Sequence, residues 1–505
     1  MHSPWFSLNS VATVLLLAVS QANAQSTASP LTTNSTTCDA ACRQISQLGA
    51  SWEQSQHAHT PLDPFYSVPA SFSPSLSPGT LLRVEAVTDL TNYTVPSGLT
   101  MSRIMYTSLD INGTVVPVSA YALWPFTALD DFGEMQKQPQ FPLVAWAHGT
   151  SGLFAACAPS NYRSLQYHFM VPYQLALEGF AVIASDYAGL GASVLANGST
   201  IVHQYLASSA SANDVAFAIE AIRKAFPERL AADGPFVTMG HSQGGAVAWG
   251  FADRQAVSPV PGYRGTVTIS PAVKAVDQLT QALMLAGDLG NATFGSVVSR
   301  LPAWASTILG LQTKFIAAVT AAYPGYKLSG LTDLGYDRWT KVLASLQGCL
   351  PTDGLVFSDV PLAAAVKPQW YDDPVVEVWL NRTDPSGRQF AGPMLLLVGG
   401  DDAVLPSNVL VAADQSCAVP SNKAQSLEVV TYAAMGHFPV IQASRTKWMA
   451  WIKDRVRGHK GSARPGCGRK SVVTGFNTNA TLLGQTAPNF LLEAALGESG
   501  WMLAL

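Results

Sequence analysis

Hydrophobic and polar residues follow two alternating patterns along most of the chain. Six short, almost uncharged hydrophobic runs are typical of strands covered on both faces, and they lie at 143–147, 181–185, 236–239, 265–269, 394–398 and 427–432. Between several of them apolar residues recur at helical spacing, as in 211–226. This alternation predicts an α/β fold with a mostly parallel central sheet flanked by helices.

Two longer segments precede these runs. The sequences TMSRIMYTSLDI and TVVPVSAYALW are joined at Asn112-Gly113, which is a strong signal for a β-hairpin. Counting this pair, 265–269 is the sixth predicted strand. Residues 274–368 then show only helical patterns rich in Ala, Leu and Val. Because this interval is too long for a loop, it predicts a helical cap inserted after the sixth strand. The alternative is a set of ordinary core helices in a larger domain.

These patterns divide the chain into segments. The predicted core comprises residues 79–273 and 369–460, and the cap comprises 274–368. Residues 25–78 are rich in Ser, Thr, Pro and Ala, and they predict a poorly ordered lead-in with one short helix. Residues 461–505 are interpreted as a C-terminal extension.

The first 24 residues have the pattern of a secretory signal peptide. An apolar run at 11–19 precedes Ala22-Asn23-Ala24, a small-x-small cleavage signal before Gln25. The run is shorter than the roughly 20 apolar residues that span a bilayer. Six cysteines and seven Asn-x-Ser/Thr sequons agree with a secreted, extracellular glycoprotein; the sequon asparagines are Asn34, Asn92, Asn112, Asn197, Asn291, Asn381 and Asn479.

Charge excludes some classes of partner. Charged residues make up 12% of the chain and the formal net charge is −4, so nothing indicates nucleic-acid binding. The cysteine spacing does not match a zinc site. No obligate protein partner is implied.

The sequence PFVTMGHSQGGAVAWGF contains Gly240-His241-Ser242-Gln243-Gly244, a G-x-S-x-G pattern. It follows a predicted strand and opens a helical pattern, which is the setting of a nucleophile elbow. A serine hydroxyl needs a base to take its proton and an acid to orient that base.

Candidates for the acid and the base follow the next two predicted strands. Asp401 and Asp402 come after 394–398, and His437 comes after 427–432. The carboxyl ends of parallel strands are where active-site groups of open α/β sheets lie. Nucleophile, acid and histidine therefore occur in the chain order of the hydrolase triad, with either aspartate as the acid.

These residues resemble those of the α/β-hydrolase superfamily. Its acid commonly precedes an x-Val-x-Pro stretch, and Asp402-Ala403-Val404-Leu405-Pro406 fits that register. The resemblance therefore implies Asp402 as the acid, with Asp401 left to cap the turn. It also implies an oxyanion hole formed by backbone N–H groups of the residue after the nucleophile, Gln243, and of a His-Gly-x loop after an earlier strand.

That loop is His148-Gly149-Thr150, at the end of 143–147. Thr150 is the expected second donor, with Gly149 as a further candidate. His148 is expected to brace the loop, because a catalytic role for it would break the chain order of the triad. The triad and the backbone donors suffice for acyl transfer, so we expect no metal and no cofactor.

Three motifs together resemble the fungal and bacterial secretory lipase family, which includes lipase A-type yeast enzymes. They are AHGTSG with CAPS, DYAGLG at 186–191 and GHSQGG, and the similarity covers roughly residues 80–455. The family implies a helical cap over a largely apolar acyl site, cleavage of carboxylic esters, and the triad Ser242, Asp402 and His437. Many triacylglycerol-cleaving members have an aromatic residue where this chain has His241, a departure that concerns the lipid substrate more than the chemistry.

Six cysteines allow fifteen pairings, and their positions suggest one of them. A Cys157–Cys349 bridge would join the oxyanion loop to the end of the cap, and a Cys417–Cys467 bridge would enclose the histidine loop. Cys38 would then pair with Cys42.

The sequence thus predicts a secreted serine hydrolase that cleaves esters of small molecules or lipids through an acyl-enzyme. Transient contact of the cap with a lipid interface is part of that expectation. A serine peptidase on the same scaffold, an acyltransferase or tailoring esterase of a secondary-metabolite pathway, and a non-catalytic hydrolase-like binding protein are the alternatives.

Overall fold

The computed structural model describes residues 33–130, 140–298, 300–459 and 465–476. In this part of the chain ten strands form one sheet in the order β1-β2-β3-β5-β4-β6-β7-β8-β9-β10. The strands are β1 (Leu81–Glu85), β2 (Leu99–Leu109), β3 (Val115–Pro125), β4 (Leu143–Ala147), β5 (Ala181–Ser185), β6 (Phe236–His241), β7 (Tyr263–Ile269), β8 (Met394–Gly399), β9 (Ser426–Tyr432) and β10 (Gly466–Val473).

The sheet is antiparallel at one side and parallel through the rest. Strands β2 and β3 form the predicted hairpin, and β3 pairs antiparallel with β5. Every later neighbour in the sheet is parallel. The carboxyl ends of β4, β6, β7, β8 and β9 therefore meet at one edge, and the predicted α/β architecture is confirmed.

The central strands are hydrophobic because both of their faces are covered. All residues of β4, β5, β6 and β8 are buried. One face packs in a cluster with Trp146, Trp448 and Leu395, and the other packs with Phe236 and Ile219. Continuous burial explains why these strands are apolar runs rather than alternating patterns.

The two outer strands of the sheet were not among the predicted strands. In β1 no residue is buried, and β10 (GCGRKSVV) carries glycines and basic residues and is at most half-buried. Edge strands have one open side and need no apolar run, so their sequences lack the signal. Because β1 precedes the hairpin, the cap follows the seventh strand of the sheet and not the sixth as predicted.

Helices cover both faces of the sheet and build the cap. They are α1 (Ala40–Gln56), α2 (Pro172–Leu177), α3 (Ser208–Ala225), α4 (Gln243–Val257), α5 (Ala275–Ala286), α6 (Phe294–Val298), α7 (Ala303–Gly310), α8 (Gln312–Ala322), α9 (Asp333–Arg338), α10 (Ala344–Leu346), α11 (Leu350–Val356), α12 (Leu362–Ala365), α13 (Pro374–Thr383), α14 (Pro406–Ala418), α15 (Pro439–Ala443) and α16 (Arg445–Val456). Helix α3 corresponds to the helix predicted at 211–226.

The cap has a hydrophobic core of its own. Phe315, Ile316 and Val356 are buried in it, and Trp379 of α13 belongs to the same cluster although it lies beyond residue 368. Across the described ranges no single helix is long and apolar enough to cross a membrane; by length and composition alone one bent pair, α7 with α8, would pass.

The N-terminal segment is ordered where it is described. Helix α1 has 17 residues, so it is longer than the short helix predicted in this segment. Its buried Glu53 accepts hydrogen bonds from the backbone N–H groups of Cys349 and Thr352, each at 2.8 Å. These donors lie at the start of α11, where N–H groups lack intrahelical partners. Helix α1 is thereby fixed to the cap.

Three disulfides are present, and two of them join distant parts of the chain. They are Cys38–Cys42, Cys157–Cys349 and Cys417–Cys467, the same pairs that the cysteine positions suggested. The Cys157–Cys349 bridge links the segment after β4 to the start of α11. Next to it, Gly152 and Cys349 form an isolated β-bridge, so the cap is joined to the core through backbone as well as sulfur.

Candidate active site

Ser242 lies on the sharp turn between β6 and α4. Its backbone angles are φ 58° and ψ −122°, a conformation that side chains rarely adopt. The two glycines of the motif make this turn possible. A Cβ on Gly240 would lie 1.9 Å from the Gly244 carbonyl oxygen, and a Cβ on Gly244 would lie 1.9 Å from that of Ala147. The strand-turn-helix geometry is that of a nucleophile elbow.

Asp402 and His437 lie together at the same edge of the sheet. His437 Nδ1 is 2.6 Å from Asp402 Oδ1. The Asp402 carboxylate is fully buried, and it also accepts a hydrogen bond from the Val404 N–H at 2.8 Å and one from the Ser270 hydroxyl. Asp401 is exposed. Of the two candidate aspartates, the structure brings Asp402 and not Asp401 to the histidine.

Ser270 was not among the predicted site residues. It is the first residue after β7 and has a positive φ of 45°. Its hydroxyl donates to Asp402 Oδ2, while His437 occupies the other oxygen. A serine directly after a buried strand at the carboxyl edge of the sheet is the signal that could have indicated it.

His437 is in contact with His241, the residue before the nucleophile. The rings of His241 and His437 have centroids 4.4 Å apart, and His241 Nε2 is 2.9 Å from the His437 carbonyl oxygen. Among the described residues, no hydrogen bond joins Ser242 Oγ to the His437 ring. Such bonds are often long in the free enzyme and shorten when substrate binds.

The predicted oxyanion loop lies against the start of α4. A Cβ on Gly244 would be 2.5 Å from the His148 carbonyl oxygen, and strands β4 and β6 pair at Ala147 and Gly240. In the part of the chain that the structure describes, the N–H groups of Thr150 and Gln243 donate to no protein acceptor. Neither N–H group is therefore occupied by another protein atom in these ranges.

Side chains around this loop hold it in place. The Thr150 hydroxyl is 2.9 Å from the Tyr205 hydroxyl, and Gln243 Nε2 donates to His203 Nε2 at 3.0 Å. His203 Nδ1 in turn donates to the Ala188 carbonyl at 3.0 Å, which fixes the ring as the Nδ1–H tautomer. Burial lowers the pKa of His203 to about 4, so the ring is neutral above that pH.

The His148 side chain contacts residues that surround the loop. Its ring is buried, it stacks on Tyr187 with centroids 4.2 Å apart, and its Nδ1 and Nε2 face the carbonyl oxygens of Gly149 and Asp186. Burial lowers the pKa of His148 to about 3. The Tyr187 hydroxyl donates to the His148 carbonyl at 3.0 Å. These contacts are those of a residue that braces the loop.

The aspartate of DYAGLG supports the same region. Asp186 is fully buried and accepts hydrogen bonds from the hydroxyls of Ser119 and Ser160, each at 2.6 Å, and from the Ser160 N–H at 2.8 Å. Burial raises the pKa of Asp186 to about 6. It therefore connects β3, the CAPS segment and the end of β5 behind the oxyanion loop.

The cap contacts the acid loop directly. From α5, Gln278 Nε2 donates to the Ala403 carbonyl at 3.0 Å, and Gln278 Oε1 accepts the Leu405 N–H at 3.1 Å. These bonds hold the loop that carries Asp402. Gln278 was not predicted, because one glutamine in an amphipathic helix carries no sequence signal.

The remaining predicted sites concern modification and metals. The six sequon asparagines inside the described ranges are all exposed, and Asn479 lies outside them, as does the signal-peptide region; the exposed ones are Asn34, Asn92, Asn112, Asn197, Asn291 and Asn381. The described residues contain no group of three or more His, Cys, Asp or Glu side chains that could hold a metal ion.

Comparison with known proteins identifies the fold. The family model described as serine aminopeptidase, S33, matches residues 162–313, which include the nucleophile elbow. Sequence comparison with curated proteins finds no match. Lipase A of Candida antarctica, in its closed state, superposes with a TM-score of 0.62 at 15% identity, covering 84% of this chain and 94% of that one. The rice cell wall degrading esterase LipA from Xanthomonas oryzae has a TM-score of 0.52 at 21% identity, covering 77% and 100%.

The sheet order and these matches show the α/β-hydrolase fold, and residues 162–313 are similar to the hydrolase family described as serine aminopeptidase, S33. The structural neighbours of the chain include a lipase and an esterase.

Proposed function

We propose that this protein is a secreted serine hydrolase that cleaves carboxylic esters through the triad Ser242, His437 and Asp402. The contact of 2.6 Å between His437 Nδ1 and the buried Asp402 carboxylate carries the proposal. A buried carboxylate on Nδ1 fixes the ring so that Nε2 is the free base, and it stabilises the imidazolium that forms during the reaction.

The reaction follows from these positions. His437 Nε2 takes the Ser242 proton while Oγ attacks the ester carbonyl, and the oxyanion forms opposite the N–H groups of Thr150 and Gln243. The imidazolium then gives its proton to the departing alkoxide, which leaves as the alcohol. Water attacks the acyl-enzyme with His437 again as base, which releases the acid and restores Ser242.

Secretion is part of the proposal. The pattern of residues 1–24, the three disulfides and the exposed sequon asparagines support an extracellular protein. N-terminal sequencing of protein from the culture medium of a eukaryotic host should begin at Gln25, and an enzyme that removes N-glycans should increase its electrophoretic mobility. A protein retained in cells with residues 1–24 intact would contradict this part.

Contact with a lipid interface through the cap is a further element of the proposal. Met284 and Leu285 on α5 are 82% and 50% exposed, on the helix that also binds the acid loop through Gln278. Lipid esters in an aggregate would meet such side chains first. Activity that rises above the critical micelle concentration of the substrate would support this element.

A serine peptidase is the second candidate, because the matching family model is described as a serine aminopeptidase. Recognition of a peptide amine needs acidic groups free to bind it. In the cap, Asp277 and Asp333 are exposed. The Asp337 carboxylate already accepts hydrogen bonds from the Ser35 and Thr37 hydroxyls and pairs with Lys341. The apolar cap core and the structural neighbours favour esters. An acyltransferase or tailoring esterase would use the same triad.

The test is turnover of p-nitrophenyl esters from acetate to palmitate by the purified protein. Ser242→Ala should lower turnover by at least about 10³-fold, while Ser258→Ala, an exposed serine after the far end of α4, should not change it. Absence of activity on every ester, or full activity of Ser242→Ala, would refute the proposal. Cleavage of aminoacyl p-nitroanilides alone would favour the peptidase, and acyl transfer to an added alcohol in preference to water would favour the acyltransferase.

A further inference from the structure

The residue before the nucleophile, His241, lies in a chain of hydrogen bonds that joins Tyr167 to the loop carrying His437. Its Nε2 is 2.9 Å from the His437 carbonyl oxygen, and its Nδ1 is 2.8 Å from the Tyr167 hydroxyl. The side chains of His241 and Tyr167 are both buried. None of these bonds belongs to the triad itself.

The direction of each bond follows from the chemistry of the partners. A carbonyl oxygen only accepts, so His241 Nε2 carries the proton and donates to His437. Burial, assisted by the nearby His437, holds the pKa of His241 well below its usual range, so the ring is neutral and Nδ1 is an acceptor. The Tyr167 hydroxyl must then be the donor to Nδ1.

The chain extends to the oxyanion loop. A Cβ on Gly149 would lie 2.0 Å from the Tyr167 hydroxyl oxygen, so only glycine leaves room for that hydroxyl. Burial raises the pKa of Tyr167, and the Gly149 backbone, which interacts with the same oxygen, opposes that shift. Gly149, Tyr167, His241 and His437 thus form a single series from the loop after β4 to the loop after β9.

The last bond in this series fixes the backbone of the triad histidine. In the described part of the chain no backbone N–H donates to the His437 carbonyl, so the His241 side chain is its partner. Asp402 orients the His437 ring through Nδ1, and His241 holds the main chain from which that ring projects. Phe438 packs on His241 with ring centroids 5.3 Å apart, which restricts the loop further.

We propose that His241 and Tyr167 are positioning residues. They hold the main chain of His437 so that its Nε2 can approach Ser242 Oγ. This inference rests on the proposed ester hydrolysis. The hydrogen bonds of His241 go to Tyr167 and His437, so it acts through His437. Loss of its bond would let the histidine loop shift, and a displacement of about 1 Å can cost a reaction of this kind about 100-fold in rate.

The test compares four variants with the wild-type protein on p-nitrophenyl butyrate. His241→Phe keeps a ring of similar size but loses both hydrogen bonds, and we expect kcat to fall by about 100-fold with KM within about threefold. His241→Gln retains an N–H donor for the His437 carbonyl and should regain kcat to within about tenfold of wild type. Tyr167→Phe should lower kcat by about five- to tenfold.

Tyr121→Phe is the matched control. Tyr121 is a fully buried tyrosine of the same core cluster as Tyr167, and its hydroxyl has no hydrogen-bond partner among the described residues. Its kcat and KM should equal those of wild type. Diethyl p-nitrophenyl phosphate reacts with Ser242 and carries no acyl chain, so its rate of inactivation reports the reactivity of the serine alone. This rate should fall in the same variants, and by similar factors, as kcat. Melting temperatures identify any variant that has not folded.

Three results would overturn the inference. If His241→Phe is folded and keeps kcat within about threefold of wild type, or if His241→Gln loses as much as His241→Phe, then the bond to His437 does not position the histidine. If His241→Phe does not fold, His241→Gln and Tyr167→Phe still test the inference. A kcat of Tyr167→Phe equal to that of wild type would refute a positioning role for this series of hydrogen bonds. Wild-type protein without ester activity would instead refute the proposed function.

Discussion

His437 Nδ1 lies 2.6 Å from Asp402 Oδ1, although 35 positions separate the two residues in sequence. Strands β8 and β9, which precede them, are parallel neighbours, so both loops emerge at the same edge of the sheet. The adjacent Asp401 points to solvent. Consecutive aspartates therefore differ completely in environment, and this difference can be tested directly.

Asp402→Asn should lower kcat on p-nitrophenyl butyrate by about 10³- to 10⁴-fold, since an amide can present its NH₂ to Nδ1 and leave His437 in the wrong tautomer. KM should change little. Asp401→Asn is the matched control and should keep wild-type kcat, because that carboxylate is exposed. Equal losses in the two variants would contradict the assignment of Asp402.

The elbow glycines should tolerate no methyl group. In Gly240→Ala and Gly244→Ala the new Cβ would lie 1.9 Å from a backbone carbonyl oxygen, which cannot rotate away as a side chain would. We expect each variant to lose at least about 3 kcal/mol of unfolding free energy, or to be inactive with a displaced Ser242. Urea unfolding and p-nitrophenyl butyrate turnover measure the two effects. Gly325→Ala is the control, because its Cβ meets open space, and it should change neither stability nor turnover. A stable and fully active Gly244→Ala would show that the turn differs from the one described.

The three disulfides should contribute unequally to stability. Loop-closure entropy grows with the number of residues enclosed, so removing Cys157–Cys349, with a sequence separation of 192, should cost about 5 kcal/mol. Removing Cys38–Cys42, with a separation of 4, should cost about 2 kcal/mol.

Paired Cys→Ser variants of each bridge, unfolded in urea without reductant, give this comparison. The Cys157/Cys349 variant should also lose activity, because Gly152 and Leu350 N–H connect that bridge to the oxyanion loop. A larger loss of stability from the Cys38/Cys42 pair would contradict the entropic argument.

Asp214 should make the folded state less stable as pH rises through the weakly acidic range. Burial raises the pKa of its carboxyl from 3.8 to about 7, although the Ala188 N–H donates to it at 3.0 Å. Between about pH 4 and pH 7 the folded chain holds a proton that the unfolded chain has released. The contribution of Asp214 to stability is therefore greatest below that window and is lost as pH rises through it.

Asp214→Asn removes this titration. The melting temperature of the variant, measured relative to wild type from pH 4 to pH 8, should increase steadily with pH and level off above about pH 7. Asp233→Asn, at an exposed position, should follow the wild-type curve. A difference between Asp214→Asn and wild type that is constant across the range would show that the carboxyl is already ionised in the folded protein.

Much of the core could be predicted from the sequence because its strands are covered on both faces. Each of these strands became a hydrophobic run with little or no charge, and the loops that follow β8 and β9 at the sheet edge carry Asp402 and His437. The edge strands β1 and β10 could not be predicted in this way. Their residues meet solvent, so β-propensity and hydrophobicity impose little pattern on them.

The sequence by itself determined the α/β class, the elbow around Ser242 and the chain order of the candidate triad, because these depend on local patterns and on the spacing of motifs. Only the tertiary structure decided which aspartate meets His437, that Ser270 holds its other oxygen, and that Tyr167 and His241 connect the oxyanion loop to the histidine loop. Those contacts join residues between 35 and 196 positions apart, and the distance between such residues is set by how strands are ordered in the sheet rather than by any pattern along the chain.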